Sequence, residues 1–585
     1  MRTPEERYFP TSDGTRLFYR YWPQVSGPVS RAVVLFHRGH EHSGRLQHIV
    51  DELDMPSAAM FAWDARGHGR SAEPAAGPAS GNSPGMGTLI RDVDEFVRHI
   101  SGEFGFAPGD IAVVGQSVGA VLVAAWVHDY APPIRCMSLA SPAFSVKLYV
   151  PLARTALGLF HRMFGNFHVN SYVKPGALTH DPDRIASYAA DPLIRRPIAA
   201  NILLALYSTA GRVIEDAQAI RTPTQVLISG ADFVVRLQPQ HRFFERLGSA
   251  VKEKHVFAGF YHDTLGERDR GPAIARVREF LERRLPPPDS LVDADRAGYT
   301  KDEFDRLSRP LPALSPKAMA FGLTRLGMRT GGRLSDGIRL GLETGFDSGS
   351  TLDYVYRNQA AGITPLGRLI DRFYLNAIGW RGIRIRKRHL ERLLRQAMAS
   401  LGAAGRPVRI ADIAAGHGRY VLEAIEAQAE KPERILLRDF SEINVRQGER
   451  LIREKGLEAV AHFEMGDAFD RASVAAIAPR PTVGIVSGLY ELFPRNAPLR
   501  ESLAGLAEAI EPGGYLIYTG QPWHPQLETI ARTLPSHRAG KPWIMRRRTQ
   551  AEMDQLVAAA GFRKTDELAD DWGIFTVSLA QRTGV

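Results

Sequence analysis

Twice in 585 residues an apolar run of strand length breaks into a glycine-flanked turn and continues at once as a helical pattern. The first is IAVV at 111–114, then Gly115-Gln116-Ser117-Val118-Gly119, then AVLVAAWVHDY. The second is VRIADIAAGHGRY at 408–420. A strand fed through a tight turn into a helix is half of a βαβ unit, which calls for a mostly parallel sheet with helices on its faces. Further short apolar runs at 32–36, 60–63, 137–139, 225–228 and 255–257 accompany the first motif. Runs at 434–437, 482–486, 515–518 and 574–579 accompany the second. The expected architecture is therefore α/β in two domains, 1–285 and 405–585.

Between them the composition shifts. Pro286, Pro287 and Pro288 form a run, followed by Pro310, Pro312 and Pro316. Proline triplets favour extended spacers, which places a linker over 286–316. Residues 317–404 read as a helical, basic lead-in. The eight glycines between Gly322 and Gly349 weaken the helical pattern there. The stretch 380–395 carries seven Lys or Arg against one acid. Such a run is either a solvated helix face or a surface that meets phosphate, on nucleic acid or on anionic lipid.

Composition excludes several classes. With 44% apolar and 24% charged residues, the chain is neither fibrous nor wholly disordered. Its net charge of +10 is mild for this length. The single cysteine, Cys136, can form no internal disulfide, which fits a reducing compartment. The start MRTPEERYFPTSDG has no apolar signal core, and no run of about 18 apolar residues suggests a spanning helix. The expected location is cytoplasmic, with peripheral contact at the inner membrane face as a further possibility.

The first motif carries nucleophile chemistry. A serine on a strand-to-helix turn is exposed above the sheet, with small residues two positions either side to avoid clashes. The turn also aims the Val118 amide at the place where an oxyanion forms. Serine needs a histidine to take its proton, and the histidine needs a carboxylate to orient it. Asp232 and His262 follow two later strand-like runs in the order serine, acid, histidine, so Ser117, Asp232 and His262 form the expected triad. Taken singly, Asp232 reads equally as a turn or cap aspartate and His262 as a satisfied surface or core histidine. Asp263 is set aside, because sequence neighbours rarely face each other productively. The loop FHRGHEHSGR at 36–45 holds three histidines, but its pattern matches no metal site.

HRGHEHSGR, DARGHGRS, GQSVG, GADFVV and YHDTLGE together resemble the α/β-hydrolase superfamily, in particular its monoacylglycerol-lipase and lysophospholipase branch. The resemblance covers about residues 8–285. It implies an oxyanion hole from the amides of Gly39 and Val118, and a small-molecule or lipid ester substrate. It also implies a cap over 145–220. Its apolar stretch LYVPLARTALGLFHRMFGNF is expected to pack on the hydrolase core, with a bilayer surface as the alternative. Arg38 stands where that branch has glycine, which places a side chain, and a cation, beside the oxyanion loop.

The second motif is a nucleotide-type crevice. Gly416 and Gly418 let backbone approach a ligand at a helix N-terminus. The third glycine of a dinucleotide fingerprint is replaced by Val421, which disfavours NAD. Asp439 ends the next strand, where a carboxylate can accept both ribose hydroxyls. Asp467, followed by Ala468, ends another, where it can meet an adenine amino group. Either aspartate alone is equally a turn or cap residue. Asp-x-Ala-x-Gly-x-Gly, then the acid, Gly-Asp-Ala and Pro-Gly-Gly resemble class I methyltransferases, over about 405–585. That resemblance implies S-adenosylmethionine lying across Gly416 and Gly418, with ribose on Asp439 and adenine near Asp467 and Ala468. Asp412 would hold the glycine loop or the methionine amine. It also implies a seven-stranded sheet with one reversed strand, which FTVSLAQR can supply. Tyr490, Glu491, Trp523 and His524 are the candidates near a methyl acceptor. An Asn-Pro-Pro-aromatic tetrad is absent, so a nucleic-acid base amine is disfavoured as acceptor. The whole chain resembles bacterial fusions of the two enzymes. The competing readings are a lipid-binding or scaffold protein with an inactive domain, and an RNA methyltransferase with an accessory hydrolase.

Overall fold

The computed structural model describes residues 1–27, 31–71, 84–150, 152–171, 173–283, 285, 291, 298–426, 428 and 430–584. The chain divides into two compact units, Met1–Asp289 and Ser290–Val585.

The first unit contains β1 (Glu5–Pro10), β2 (Arg16–Trp22), β3 (Arg31–Phe36), β4 (Ala58–Trp63), β5 (Ile111–Gln116), β6 (Cys136–Ala140), β7 (His168–Asn170), β8 (Pro197–Ala199), β9 (Thr224–Ser229) and β10 (Lys252–Phe257). Eight of these form one sheet in the order β1-β2-β4-β3-β5-β6-β9-β10. Pairing is parallel from β4 onward, while β2 runs antiparallel to both β1 and β4. Strands β4, β5, β6 and β9 are buried at every position. That is why they read as unbroken apolar runs, as strands covered on both faces do. This is the α/β-hydrolase fold.

Between β6 and β9 lie the helices Ala153–Phe164, Pro182–Ala190 and Ala200–Glu215, with β7 and β8 paired antiparallel. The expectation that the apolar stretch packs on the core is corrected. Helix Ala153–Phe164 buries no residue, and Leu159, Phe160, Met163 and Phe164 are each more than half exposed. The helix packs chiefly against Ala200–Glu215, so one neighbour covers only one side.

Ala200–Glu215 is fixed by a buried charge network. His128 lies 2.7 Å from Asp129 and 2.8 Å from Asp216. Arg212 donates to Asp129 at 2.9 Å. Burial alone lowers the His128 pKa, but its bonds to Asp129 and Asp216 outweigh burial and leave it raised. A raised folded-state pKa stabilises fully below the unfolded value, and the contribution is lost as pH rises through the folded value. His128→Gln is therefore expected to cost more stability near pH 6 than near pH 9. Urea unfolding of both proteins at the two pH values measures it; a gap that widens at high pH would refute the charged-histidine account.

The second unit contains β11 (Arg409–Asp412), β12 (Arg434–Asp439), β13 (Ala461–Met465), β14 (Val483–Val486), β15 (Tyr515–Gly520), β16 (Phe562–Ala569) and β17 (Thr576–Arg582). Their order is β13-β12-β11-β14-β15-β17-β16, with β17 antiparallel to β15 and the first five strands parallel. This is the Rossmann-like class I methyltransferase fold. Order reverses between β11 and β14, so the crevice lies at the carboxyl ends of those strands.

One expectation is corrected here. Within the expected linker, Tyr299–Ser308 is a helix whose Leu307 is buried with Leu527, Ile530 and Met545. It therefore belongs to the second unit's fold. The proline triplet lies outside the described residues. Within the lead-in the glycine-rich stretch is helical despite its glycines, over Pro316–Arg329 and Asp336–Thr344. Gly337 and Gly341 are close-packing positions rather than breakers. A Cβ at Gly337 would stand 2.6 Å from the Tyr374 ring, and one at Gly341 would stand 2.5 Å from the Phe346 ring. Packing gained by close approach offsets the roughly 1 kcal/mol of helix propensity lost at each glycine. The basic segment becomes two helices, Pro365–Leu375 and Ile378–Ala403.

Candidate functional sites

Ser117 sits where β5 turns into helix Val118–Tyr130, at φ +51° and ψ −111°. A non-glycine residue in that region is strained, and the surrounding structure must hold it. Its amide donates to Ala140 at 2.9 Å, and its carbonyl accepts from Ala143 at 3.0 Å. The flanking glycines leave no room for a side chain. A Cβ at Gly115 would stand 2.8 Å from the Ala120 backbone, and one at Gly119 would stand 2.5 Å from the His37 carbonyl.

The sequence-predicted partners meet Ser117 in one chain of hydrogen bonds. His262 Nε2 lies 2.8 Å from Ser117 Oγ, and His262 Nδ1 lies 2.7 Å from Asp232 Oδ2. All three side chains are buried. The other Asp232 oxygen accepts from the amides of Val234 and Val235 at 2.7 and 2.9 Å. Burial raises the Asp232 pKa, but His262 and those two amides outweigh it and hold the carboxyl below its ordinary value. The group thus remains a carboxylate able to fix the imidazole.

Gly39 lies against Val118: a Cβ at Gly39 would stand 3.2 Å from Val118 Cγ2. The two residues predicted for the oxyanion hole are therefore adjacent. His37 holds this loop. Its Nδ1 meets the Arg38 carbonyl at 2.6 Å, and its Nε2 accepts from the Ala65 amide at 3.0 Å. Burial lowers the His37 pKa, so the ring is neutral and both contacts persist.

Arg38 does not bring a loose cation to the serine. Its guanidinium makes a two-pronged contact with Glu41 at 3.0 and 2.6 Å and an ion pair with Asp263 at 3.2 Å. Arg184 also donates to Asp263, at 2.9 and 3.2 Å. Asp263, set aside from the triad, thus has its own task as counter-ion to two arginines. The loop's other histidines are engaged separately. His40 meets the Arg195 carbonyl at 2.7 Å, and His42 meets Asp191 at 2.9 Å.

In the second unit a cavity of about 750 Å³ lies at the carboxyl ends of β11, β12, β13 and β14. It is lined by Gly416, Gly418, Asp439, Asp467 and Ala468, five of the six residues predicted for the cofactor. Gly416 and Gly418 have φ +60° and +74°. A Cβ at Gly418 would stand 2.4 Å from Leu437, so this cradle exists only with glycine. One Asp439 oxygen accepts from the Gly416 amide at 2.9 Å; the other accepts from the Ser441 amide at 2.9 Å and from Asn444 at 3.0 Å.

Asp412 is not among the lining residues. It lies buried beneath the loop, bonded to the Tyr420 hydroxyl and the Ala414 amide. Burial pushes its pKa up to about 7. Of its two predicted tasks, this position fits holding the loop and not the methionine amine.

The acceptor candidates are corrected: none of Tyr490, Glu491, Trp523 and His524 lines the cavity. Tyr490 is buried against Ser502, and His524 is buried with its Nδ1 accepting from the Gln526 amide. Residues not foreseen line it instead. Asp347, Ser348 and Tyr356 come from the lead-in, and His537 and Arg538 from beyond β15. Asp347 accepts from Ser536 Oγ at 2.6 Å and the His537 amide at 2.7 Å, tying those two segments together. Arg386 also lines the cavity. Its signal was present in the sequence, since it shares a helical stripe with Ile383, Leu390 and Leu394.

Comparison with known proteins gives two family matches. A family described as "Putative methyltransferase" matches residues 277–582, and one described as "Serine aminopeptidase, S33" matches residues 27–269. A protein of Escherichia coli (strain K12) named "Uncharacterized protein YnbC" is 56% identical over 584 residues, covering 99% of each chain. The monoacylglycerol lipase of Mycolicibacterium smegmatis is 26% identical over 290 residues, covering 48% of this chain and 99% of its own. Among solved structures, that of the Paleococcus ferrophilus monoacylglycerol lipase aligns with a TM-score of 0.40 at 22% identity, over 45% of this chain and 98% of that one.

Proposed function

Given that the chain belongs to the methyltransferase family matched over its second half, with a hydrolase domain ahead of it, we propose a bifunctional enzyme. The first unit cleaves a carboxylic ester, of a monoacylglycerol or lysophospholipid, and the second methylates a lipid-related small molecule. The observation that carries the first half is the Asp232–His262–Ser117 hydrogen-bond chain on the strained turn. Ser117 Oγ attacks the acyl carbon while His262 Nε2 takes its proton. The oxyanion is held by the amides of Gly39 and Val118, the latter at a helix N-terminus. His262 then gives the proton to the leaving alcohol, and water attacks the acyl-Ser117 ester by the same route.

In the second unit the glycine cradle and the carboxylate at the end of β12 fit S-adenosylmethionine. When bound, it supplies an electrophilic methyl group. Asp439 holds the ribose and the glycine turn together; Asp467 and Ala468 bound the adenine. Asp412 and Tyr420 hold the loop from below. Profiling of lipids and metabolites in a deletion strain beside Ser117→Ala and Asp439→Ala strains tests the assignment. Each variant should accumulate the substrate of one half; identical profiles for all three strains and the parent would refute both activities.

Exposed apolar side chains in each unit support peripheral contact with anionic lipid. Among the described residues no helix is long and apolar enough to cross a membrane. The basic run 380–395 is a poor lipid contact: Arg386 is buried, and Lys387 pairs with Glu391 and Glu423. Better candidates are Leu159, Phe160, Met163 and Phe164 in the cap. In the lead-in they are Met319, Leu323 and Leu326, and Leu366, Leu369 and Phe373. The two lead-in stripes are interleaved with Arg325, Arg329, Arg368 and Arg372, and 307–335 holds no acid. Apolar side chains among arginines suit an anionic interface. The full chain should sediment with phosphatidylcholine vesicles containing phosphatidylglycerol. Leu323→Ser with Leu326→Ser and Phe373→Ser should reduce that several-fold. Equal sedimentation of the two proteins would remove this surface from consideration.

A further inference from the structure

Of the seven basic residues in 380–395, Arg386 is the one that faces the cofactor cavity. Its side chain is 2% exposed. Its guanidinium carbon stands 5.0 Å from the Phe575 ring centroid. Gly488, at φ +67°, lies so close that a Cβ there would be 3.0 Å from Arg386 Nη2. The nearest carboxylate, Glu491, approaches Nη1 only to 3.6 Å, beyond hydrogen-bonding distance, and Nε has no partner. A buried guanidinium is costly unless a planar anion meets its fork of donors. Here the protein supplies the burial and the cavity, but no two-pronged acceptor.

Strand order says which anion. The residues read as adenine and ribose contacts, Asp467 and Asp439, follow or end β13 and β12. The glycine turn follows β11. Gly488, under Arg386, follows β14. The order β13-β12-β11-β14 therefore lays adenine, ribose, the turn and the guanidinium in sequence across the crevice. Three strand spacings make about 14 Å, the reach of an extended nucleoside joined to an amino acid. We propose that Arg386 is the counter-ion of the methionine carboxylate of the methyl donor. This rests on the reading of the cavity as an S-adenosylmethionine site and assigns its amino-acid end.

The test is calorimetry on the full chain with S-adenosylmethionine and with its decarboxylated analogue. Wild type should bind the analogue roughly 10- to 100-fold more weakly, the range expected for a buried charge-assisted pair. Arg386→Gln should weaken S-adenosylmethionine by a similar factor and leave the analogue nearly unchanged. Arg386→Lys should recover part of the loss, with thermal unfolding confirming that each variant is folded. Equal weakening of both ligands in Arg386→Gln would make the residue a structural support and overturn the proposal. So would a variant that binds both as wild type does. If wild type binds neither ligand, the donor reading itself falls, and this assignment with it.

Discussion

Ser117→Ala is expected to lower kcat/KM on a chromogenic acyl ester by about 10³- to 10⁶-fold and to abolish the initial burst of alcohol. The loss is large because the parts act as one unit. His262 is positioned by Asp232, and Asp232 is fixed by two backbone amides, but none of this has an outlet without the Ser117 hydroxyl. The fold should not suffer. Alanine keeps the Cβ, the positive φ and both backbone hydrogen bonds of the turn, so thermal unfolding should barely move. Asp232→Asn should be nearly as damaging, by about 10⁴-fold, because the amide cannot stabilise the imidazolium. Full esterase activity in purified Ser117→Ala would end the assignment of this residue.

Asp439→Ala is expected to weaken S-adenosylmethionine binding by about 100-fold or more, measured by calorimetry. Two effects add. The carboxylate that would accept the ribose hydroxyls is gone. In addition, the Gly416 amide, the Ser441 amide and the Asn444 side chain lose their common acceptor, so the turn is no longer held. Unchanged affinity in Asp439→Ala would show that the cavity holds something other than a nucleoside. Ester hydrolysis should be untouched.

What could be read from the sequence follows burial. Strands β4, β5, β6 and β9 have water on neither face, so their residues had to be apolar, and their runs were unmistakable. Strand β16, FRKTDELA, holds Arg563, Lys564, Thr565, Asp566 and Glu567 in a row at a sheet edge and left no such run. The pair β1 and β2 was missed for the same reason: Arg7, Arg16 and Arg20 interrupt it. Ser117, Asp232 and His262 were legible because strand ends place them, and strands can be counted along a chain. The cavity wall was not, because Tyr356 and Arg386 come from helices, and Asp347 from a turn between two helices, whose docking depends on close contacts such as those at Gly337 and Gly341. Glycine in a sequence signals freedom or close approach, and only the partner across the gap tells which. Arg386 was hidden among six other basic residues, although its register on the apolar stripe set it apart.

The Arg38 cluster bears on how such a chain can change over time. Arg38, Glu41, Arg184 and Asp263 come from the loop after β3, the helix Pro182–Ala190 and the segment after His262. Replacing Arg38 alone by the glycine expected at that place would leave buried Glu41 with only the 3.5 Å contact to Arg45, and Asp263 with Arg184 as its remaining arginine. Each of the four is thus a poor single step, and the group can drift only through coordinated replacements. The arginine is an entrenched position, where the history of its neighbours dictates which residue can follow.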